Sequence, residues 1–228
     1  MKRWLLWQAA ALAIAGLALW LLARAGLDLG LSVLAYSPEQ RAFPLRDAWL
    51  FAVVGHSALK YAAVTSWLAL LGLAAASPRW RRIALHAWLG MALTALVVGG
   101  LRELSAHSCP WDLAQFGGSA QWFPLFGQLP ADPGPGRCLP AAHASSGFAL
   151  FALYFALRDE HPRLARAALA LAWFLGLLAG GVQVARGAHL ASHALWTAWV
   201  AWALNIVLYA VIRRLNPPGE PPISLHAR

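Results

Sequence analysis

Carboxylates are scarce in this sequence: nine Asp and Glu stand against 18 Lys and Arg in 228 residues. A catalytic centre resting on clustered Asp/Glu ligands, as two-metal phosphatases use, has little material here. Charged residues of both signs make up only 12% of the chain, while 60% is hydrophobic. A globule of this length cannot hide that much apolar surface from water, which excludes a soluble enzyme and a coiled coil. The same richness in apolar residues excludes a disordered chain. Two cysteines, Cys109 and Cys138, are too few to staple a secreted scaffold. Both fall in one long polar connection, where they either pair in an oxidising compartment or stay as free thiols. No internal repeat is visible, so an inverted-repeat transporter has no support. What remains is one integral membrane domain, all-α in class.

A bilayer crossing needs about 20 apolar residues. Six segments qualify or nearly so: Trp4–Ala23, Trp49–Ala76, Ile83–Leu101, Ala144–Leu157, Ala167–Ala185 and Leu190–Ile212. The fourth is short, and its start is expected to include Ala141–His143. The first lacks a small-residue cleavage site and is too long for a signal peptide. The expected fold is a six-transmembrane-helix bundle. The net charge of +9 does not point to nucleic acid, because the basic residues sit in short clusters between the apolar runs. Arg79, Arg81, Arg82, Arg158, Arg163, Arg166, Arg213 and Arg214 fall with Lys2 and Arg3 on one side, which the positive-inside rule assigns to the cytoplasm together with both termini. Two outer connections are long, Arg24–Ala48 and Arg102–Pro140. The second carries Trp111, Phe116, Trp122, Phe123 and Phe126 among Gly and Pro, and is expected to lie on the membrane surface with its rings at headgroup depth. Residues 1–215 form the membrane domain. The tail 216–228, with Pro217, Pro218, Pro221 and Pro222, is expected to be a disordered cytoplasmic end.

Polar groups are costly near an apolar span, so their positions carry information. His143, Gln183, Arg186, His189 and His193 all fall at the outer ends of spans four, five and six, and Arg102 and His107 at the outer end of span three. His189 and His193 are spaced i, i+4 and share a helix face. Any one of these groups alone reads as an interfacial hydrogen-bonding or snorkelling residue. Gathered on one membrane face, they suit anionic phosphate: guanidinium groups bind its oxygens, and imidazole serves as nucleophile or general acid near neutral pH. Three His are also a ligand set for a catalytic zinc, a competing reading for His143, His189 and His193. Inside span two, His56 and Lys60 are again i, i+4. They either pair with polar groups of other spans or extend the phosphate site.

These residues resemble three motifs of the type 2 phosphatidic acid phosphatase family, membrane lipid phosphatases with six spans. The first, Lys, six residues, then Arg-Pro, is matched by Arg102 followed at the same spacing by Cys109-Pro110. The second, Pro-Ser-Gly-His, is Pro140-Ala141-Ala142-His143. The third, Ser-Arg, five residues, His, three residues, Asp, places Gln183 where Arg is expected, keeps His189, and has His193 where Asp is expected. The resemblance covers about residues 47–212. It implies that His189 attacks phosphorus and becomes a phosphohistidine, that His143 protonates the leaving oxygen, and that Arg102 binds phosphate. His193 would stand in for the acid that orients the nucleophile. Arg186 and Arg137, each close in sequence to a motif His, would compensate for the two missing Arg, with Gln183 beside them. It further implies a site on the periplasmic face of a bacterial inner membrane, a lipid phosphate as substrate, membrane lipids and no nucleic acid as partners, and no cofactor. The departures leave open a catalytically weak lipid-phosphate-binding relative, or a lipid phosphotransferase.

Overall fold

The computed structural model describes residues 1–215, apart from the side chain of His56; the tail 216–228 expected to be disordered lies outside the described residues. It is a helical bundle, with no strand among the described residues. In chain order the helices are α1 (Lys2–Arg24), α2 (Leu27–Ala35), α3 (Leu59–Ala76), α4 (Arg81–Glu103), α5 (Ser145–Phe148), α6 (Phe151–Leu157), α7 (Pro162–Ala185) and α8 (Ala191–Leu215). A π-helical stretch, Leu50–Ala58, runs directly into α3.

Five of these helical segments are long and apolar enough to cross a membrane: α1, Leu50–Ala76, α4, α7 and α8. At 1.5 Å per residue, the 23 residues of α4 reach about 35 Å, a little more than a hydrocarbon core. This is an integral membrane protein. Its outward rows of leucine, such as Leu6, Leu96, Leu164 and Leu171, are exposed as they are on a lipid-facing wall.

Of the six expected spans, five correspond to such helices, and the fourth is a shorter piece. The apolar segment Ala142–Leu157 falls short of crossing length and is divided into a 3-10 turn (Ala142–Ala144), α5 and α6. Gly147 touches the backbone of Leu175 and Gly176 on α7, where any side chain would collide with main chain. The segment therefore lies buried in the centre of the bundle. Phe148, Phe151 and Phe155 are almost completely enclosed, and Ala172, Ala194, Ala198 and Ala201 fill the gaps between the rings.

The outer connections also differ from expectation. The first contains a helix, α2. The second, between α4 and the 142–144 turn, folds as a cap over the end of the bundle. Phe116 and Phe123 are buried within the protein instead of being presented at headgroup depth, and only Phe126 stands out. Phe116 packs with Tyr36 and Phe43 of the first connection in a cluster of edge-on and tilted rings. The cap is tied down where the Trp111 N–H donates to the Gly187 carbonyl at 3.0 Å.

Candidate active site

The turn between α7 and α8 carries His189. Gly187 adopts φ +70, and its Cα lies so close to the Phe43 ring that a side chain would overlap it. This tight turn folds back on α7: the N–H groups of Ala188 and His189 both donate to the Gln183 carbonyl, at 2.9 and 3.3 Å. His143 arrives from the other side. Ala141 N–H donates to the His193 carbonyl at 3.0 Å, and Thr197 Oγ1 donates to the Ala141 carbonyl at 2.9 Å. These two bonds stitch the Pro140–His143 segment onto the first turns of α8. The result is a row of three imidazoles: His143 and His189 have ring centroids 5.9 Å apart, and His189 and His193 6.0 Å. His189 and His193 are buried; His143 is half-exposed.

One contact sets the His189 tautomer. Its Nδ1 lies 2.9 Å from the Cys138 carbonyl oxygen. A carbonyl only accepts, so Nδ1 carries the hydrogen and Nε2 keeps its lone pair. Cys138 is fully buried and bridged to Cys109, with Cα atoms 5.3 Å apart. The disulfide thus holds the carbonyl that sets the His189 tautomer. The group hydrogen-bonded to the His189 imidazole is a backbone oxygen, and His193 lies beside it with ring centroids 6.0 Å apart.

The three arginines expected at the site have partners of their own. Arg102 and Arg137 share one exposed carboxylate, Glu103, at 2.8 and 3.4 Å. Arg137 sits at φ +58, and its N–H donates to the Ser105 carbonyl at 2.7 Å, so the chain enters Cys138 through a fixed bend. Arg186 donates from Nε to the Arg46 carbonyl at 2.7 Å and from a terminal nitrogen to Gln183 Oε1 at 3.2 Å. Burial lowers the pKa of Arg186, which the nearby Asp47 opposes. Gln183 is buried beneath it. His107 Nε2 is enclosed without a protein partner, and burial pushes this ring below the ordinary histidine value.

Next to His143 a cavity of about 670 Å³ opens between α3 and α4. Trp67, Trp88, Met91, Val64 and Leu96 line it; its polar groups are His143, Lys60, Ser145 and Ser146. Lys60 is exposed at this cavity and not enclosed in the bundle. Among the described residues, the group close enough to share a metal ion is Cys109, Cys138 and His189, not the three histidines. Its two sulfurs are bonded to each other, whereas a metal takes thiolates.

A model of the PAP2 superfamily matches residues 83–217, more than half of the chain. The chain belongs to the PAP2 superfamily. That family generally hydrolyses phosphate esters. The match takes in Arg102, Pro110, His143, Gln183, His189 and His193 and begins after Asp28, Arg46 and Lys60. No curated protein and no solved structure matches the chain. Reading the sequence missed the Cys138 carbonyl, Glu103 and Arg46. Glu103 was detectable, being adjacent to Arg102; the carbonyl was not, because every residue has one.

Proposed function

We propose that this PAP2 protein is a membrane lipid phosphate phosphatase with a phosphohistidine intermediate, working at the periplasmic face of a bacterial inner membrane. His189 Nε2 attacks phosphorus as the P–O bond to the lipid breaks, and His143 gives the leaving oxygen its proton. Water then attacks the phosphohistidine, with His143 taking the proton back, and inorganic phosphate leaves. Arg102, Arg137 and Arg186 neutralise the transferring phosphoryl group, with Gln183 supporting Arg186. No step calls for a cofactor.

The observation that carries the reading is the join between the imidazole row and the apolar cavity. His143 faces His189 on one side and lines the cavity on the other. That is where the bond between a charged head and a hydrocarbon chain has to lie. The cavity suits an acyl or prenyl chain, so the substrate is a polyprenyl pyrophosphate, a phosphatidate or a lipid A phosphate. The periplasmic assignment rests on the basic clusters at the opposite end of the helices.

A phosphate-release screen over these three lipid classes tests the proposal, with His189→Ala as control. Release by the native protein and none by the variant is expected. Equal release from both sinks the assignment. One observation favours a second reading, lipid-phosphate binding without turnover: Cys109 and Gln183 stand where the motifs have Arg, and two of the remaining Arg are engaged by Glu103. Lipid phosphate binding without release from any member of the panel is its signature.

A further inference from the structure

Behind His193, away from the large cavity, lies a void of about 10 Å³ between α2, the cap and α8. Four buried polar atoms that lack a protein hydrogen-bond partner belong to residues lining it: Asp28 Oδ1, His107 Nε2, His193 Nδ1 and Trp196 Nε1. Burying such groups unpaired is costly, and native proteins rarely do so. A void of this size holds about one water, which needs two to four polar partners.

We propose that this void is a built water site through which Asp28, on α2, takes over the positioning task of the acid that motif three lacks at His193. The donor count closes. The indole N–H of Trp196 donates. His193 and His107 each have a buried ring nitrogen without a protein partner, and as neutral imidazoles each can offer the water a lone pair. Asp28 is 1% exposed, and its Oδ2 accepts from Ser192 Oγ. A neutral carboxyl then donates from Oδ1. The two donors and two acceptors on residues that line the void match the four hydrogen bonds of one water. Burial, which raises the Asp28 pKa against the Ser192 bond, is consistent with that neutral form.

The consequence reaches the nucleophile by steps. With its Nδ1 accepting from the water, a neutral His193 carries its hydrogen on Nε2, and its ring is held in place 6.0 Å from that of His189. Asp28 is therefore a positioning residue, outside the stretch matched by the family model, and it acts through a water and His193.

The kinetic arm of the test rests on the phosphatase reading; the structural arm does not. Density from the native protein, at a resolution that shows bound water, should contain one peak within hydrogen-bonding distance of the four atoms. A continuous apolar contact there, or no peak, overturns the proposal. In the kinetic arm, Asp28→Leu should lower kcat on the order of 10- to 100-fold with KM nearly unchanged. Asp28→Asn, whose amide both donates and accepts, should stay within about threefold of native on the same reasoning. An unchanged kcat in Asp28→Leu, or equal losses in both variants, defeats it. Should Asp28→Leu fail to fold, Trp196→Phe removes one donor only. It should lower kcat about threefold, a loss near that of one hydrogen bond, and no loss counts against the site. A native protein that releases phosphate from no lipid overturns the phosphatase reading instead and leaves the density to decide the water site.

Discussion

At the end of the bundle away from the histidines, Asp159 accepts from the Tyr209 hydroxyl at 2.9 Å and lies 3.5 Å from Arg213 and 3.8 Å from Arg158. The Arg158 guanidinium also lies over the Trp4 and Tyr209 rings, at 4.1 and 4.8 Å. Every charge in that knot has an opposite charge or an aromatic face against it. At the histidine end the pattern is different. His189 and His193 are buried, and Arg102 and Arg137 lean on Glu103, which is half solvated. Exposed pairs of that kind contribute about 0–1 kcal/mol, so under the proposed function a phosphate dianion, which guanidinium binds in two-pronged fashion, would displace them cheaply. Two ends with similar residue types thus differ in how their charges are met. One is neutralised within itself and fixes α1, α6 and α8 together; the other leaves its arginines on a half-solvated carboxylate.

The sharpest way to break this contrast is to remove one group from each end. His189→Ala should lower phosphate release on the order of 10⁴-fold or more, since the loss of a covalent nucleophile is not made up by its neighbours. Thermal stability should change little. Asp159→Asn should leave kcat where it was. If activity falls with Asp159→Asn as far as with His189→Ala, the two ends are not separate and the contrast fails.

The disulfide belongs to the histidine end and gives the next largest effect. Cys109 and Cys138 are 29 residues apart, and opening such a bridge costs about 2–5 kcal/mol of stability. It also frees the Cys138 carbonyl from its place 2.9 Å from His189 Nδ1. The double variant Cys109→Ser, Cys138→Ser should therefore lose activity on the order of 10- to 100-fold, beyond what unfolding explains, because a shift of about 1 Å near the chemistry costs this much. Specific activity of the folded fraction, followed by circular dichroism in detergent, checks it. Full specific activity in that fraction would mean that the carbonyl is not what orients the imidazole.

How far the sequence reveals this end depends on which atoms carry the function. His143, His189 and Arg102 are side chains at motif spacing, and their gathering at one end is legible from the apolar runs alone. The Cys138 carbonyl is backbone and has no signature. Asp28 joins Ser192 across 164 residues, and no local pattern connects them. The fourth segment is apolar throughout, and nothing in its composition shows that it divides into a 3-10 turn, α5 and α6 or that Gly147 meets the α7 backbone, a fact of tertiary packing. The burial of Phe116 and Phe123 was not legible for a similar reason. Rings that suit headgroups by composition suit a small protein core as well, and Phe43, far off in the first connection, completes that core.

At the opposite end the same logic yields a smaller number. Asp159→Asn weakens a hydrogen bond to a charged group, a loss of about 1.5–3 kcal/mol. For a chain of this size that corresponds to a fall in Tm of roughly 3–12 °C. Arg158→Leu, which keeps bulk but loses the cation above Trp4 and Tyr209, should fall by less, about 0.5–2 kcal/mol. A melting series in one detergent ranks them; the reverse order would place the strength of the knot in the ring contacts instead of the carboxylate.

The smallest effect concerns pH, and it separates the ends without touching a catalytic group. An unfolded His107 takes up a proton as the pH falls through 6.5, but the buried native ring holds out to lower pH. The unfolded state then binds more protons, so the native cap loses stability as the pH drops below 6.5. Asp112 and Asp28 act with the opposite sign at lower pH. Burial raises both above the ordinary 3.8, so on the way down to 3.8 the native state binds the extra proton and regains stability. Amide exchange over residues 104–141 should therefore show protection falling from pH 6.5, then partly recovering toward pH 4. His107→Gln should erase the fall and keep the recovery. A cap whose protection is flat across that range in the native protein would show that His107 is hydrated in both states and that the cap is not the closed structure its buried rings describe.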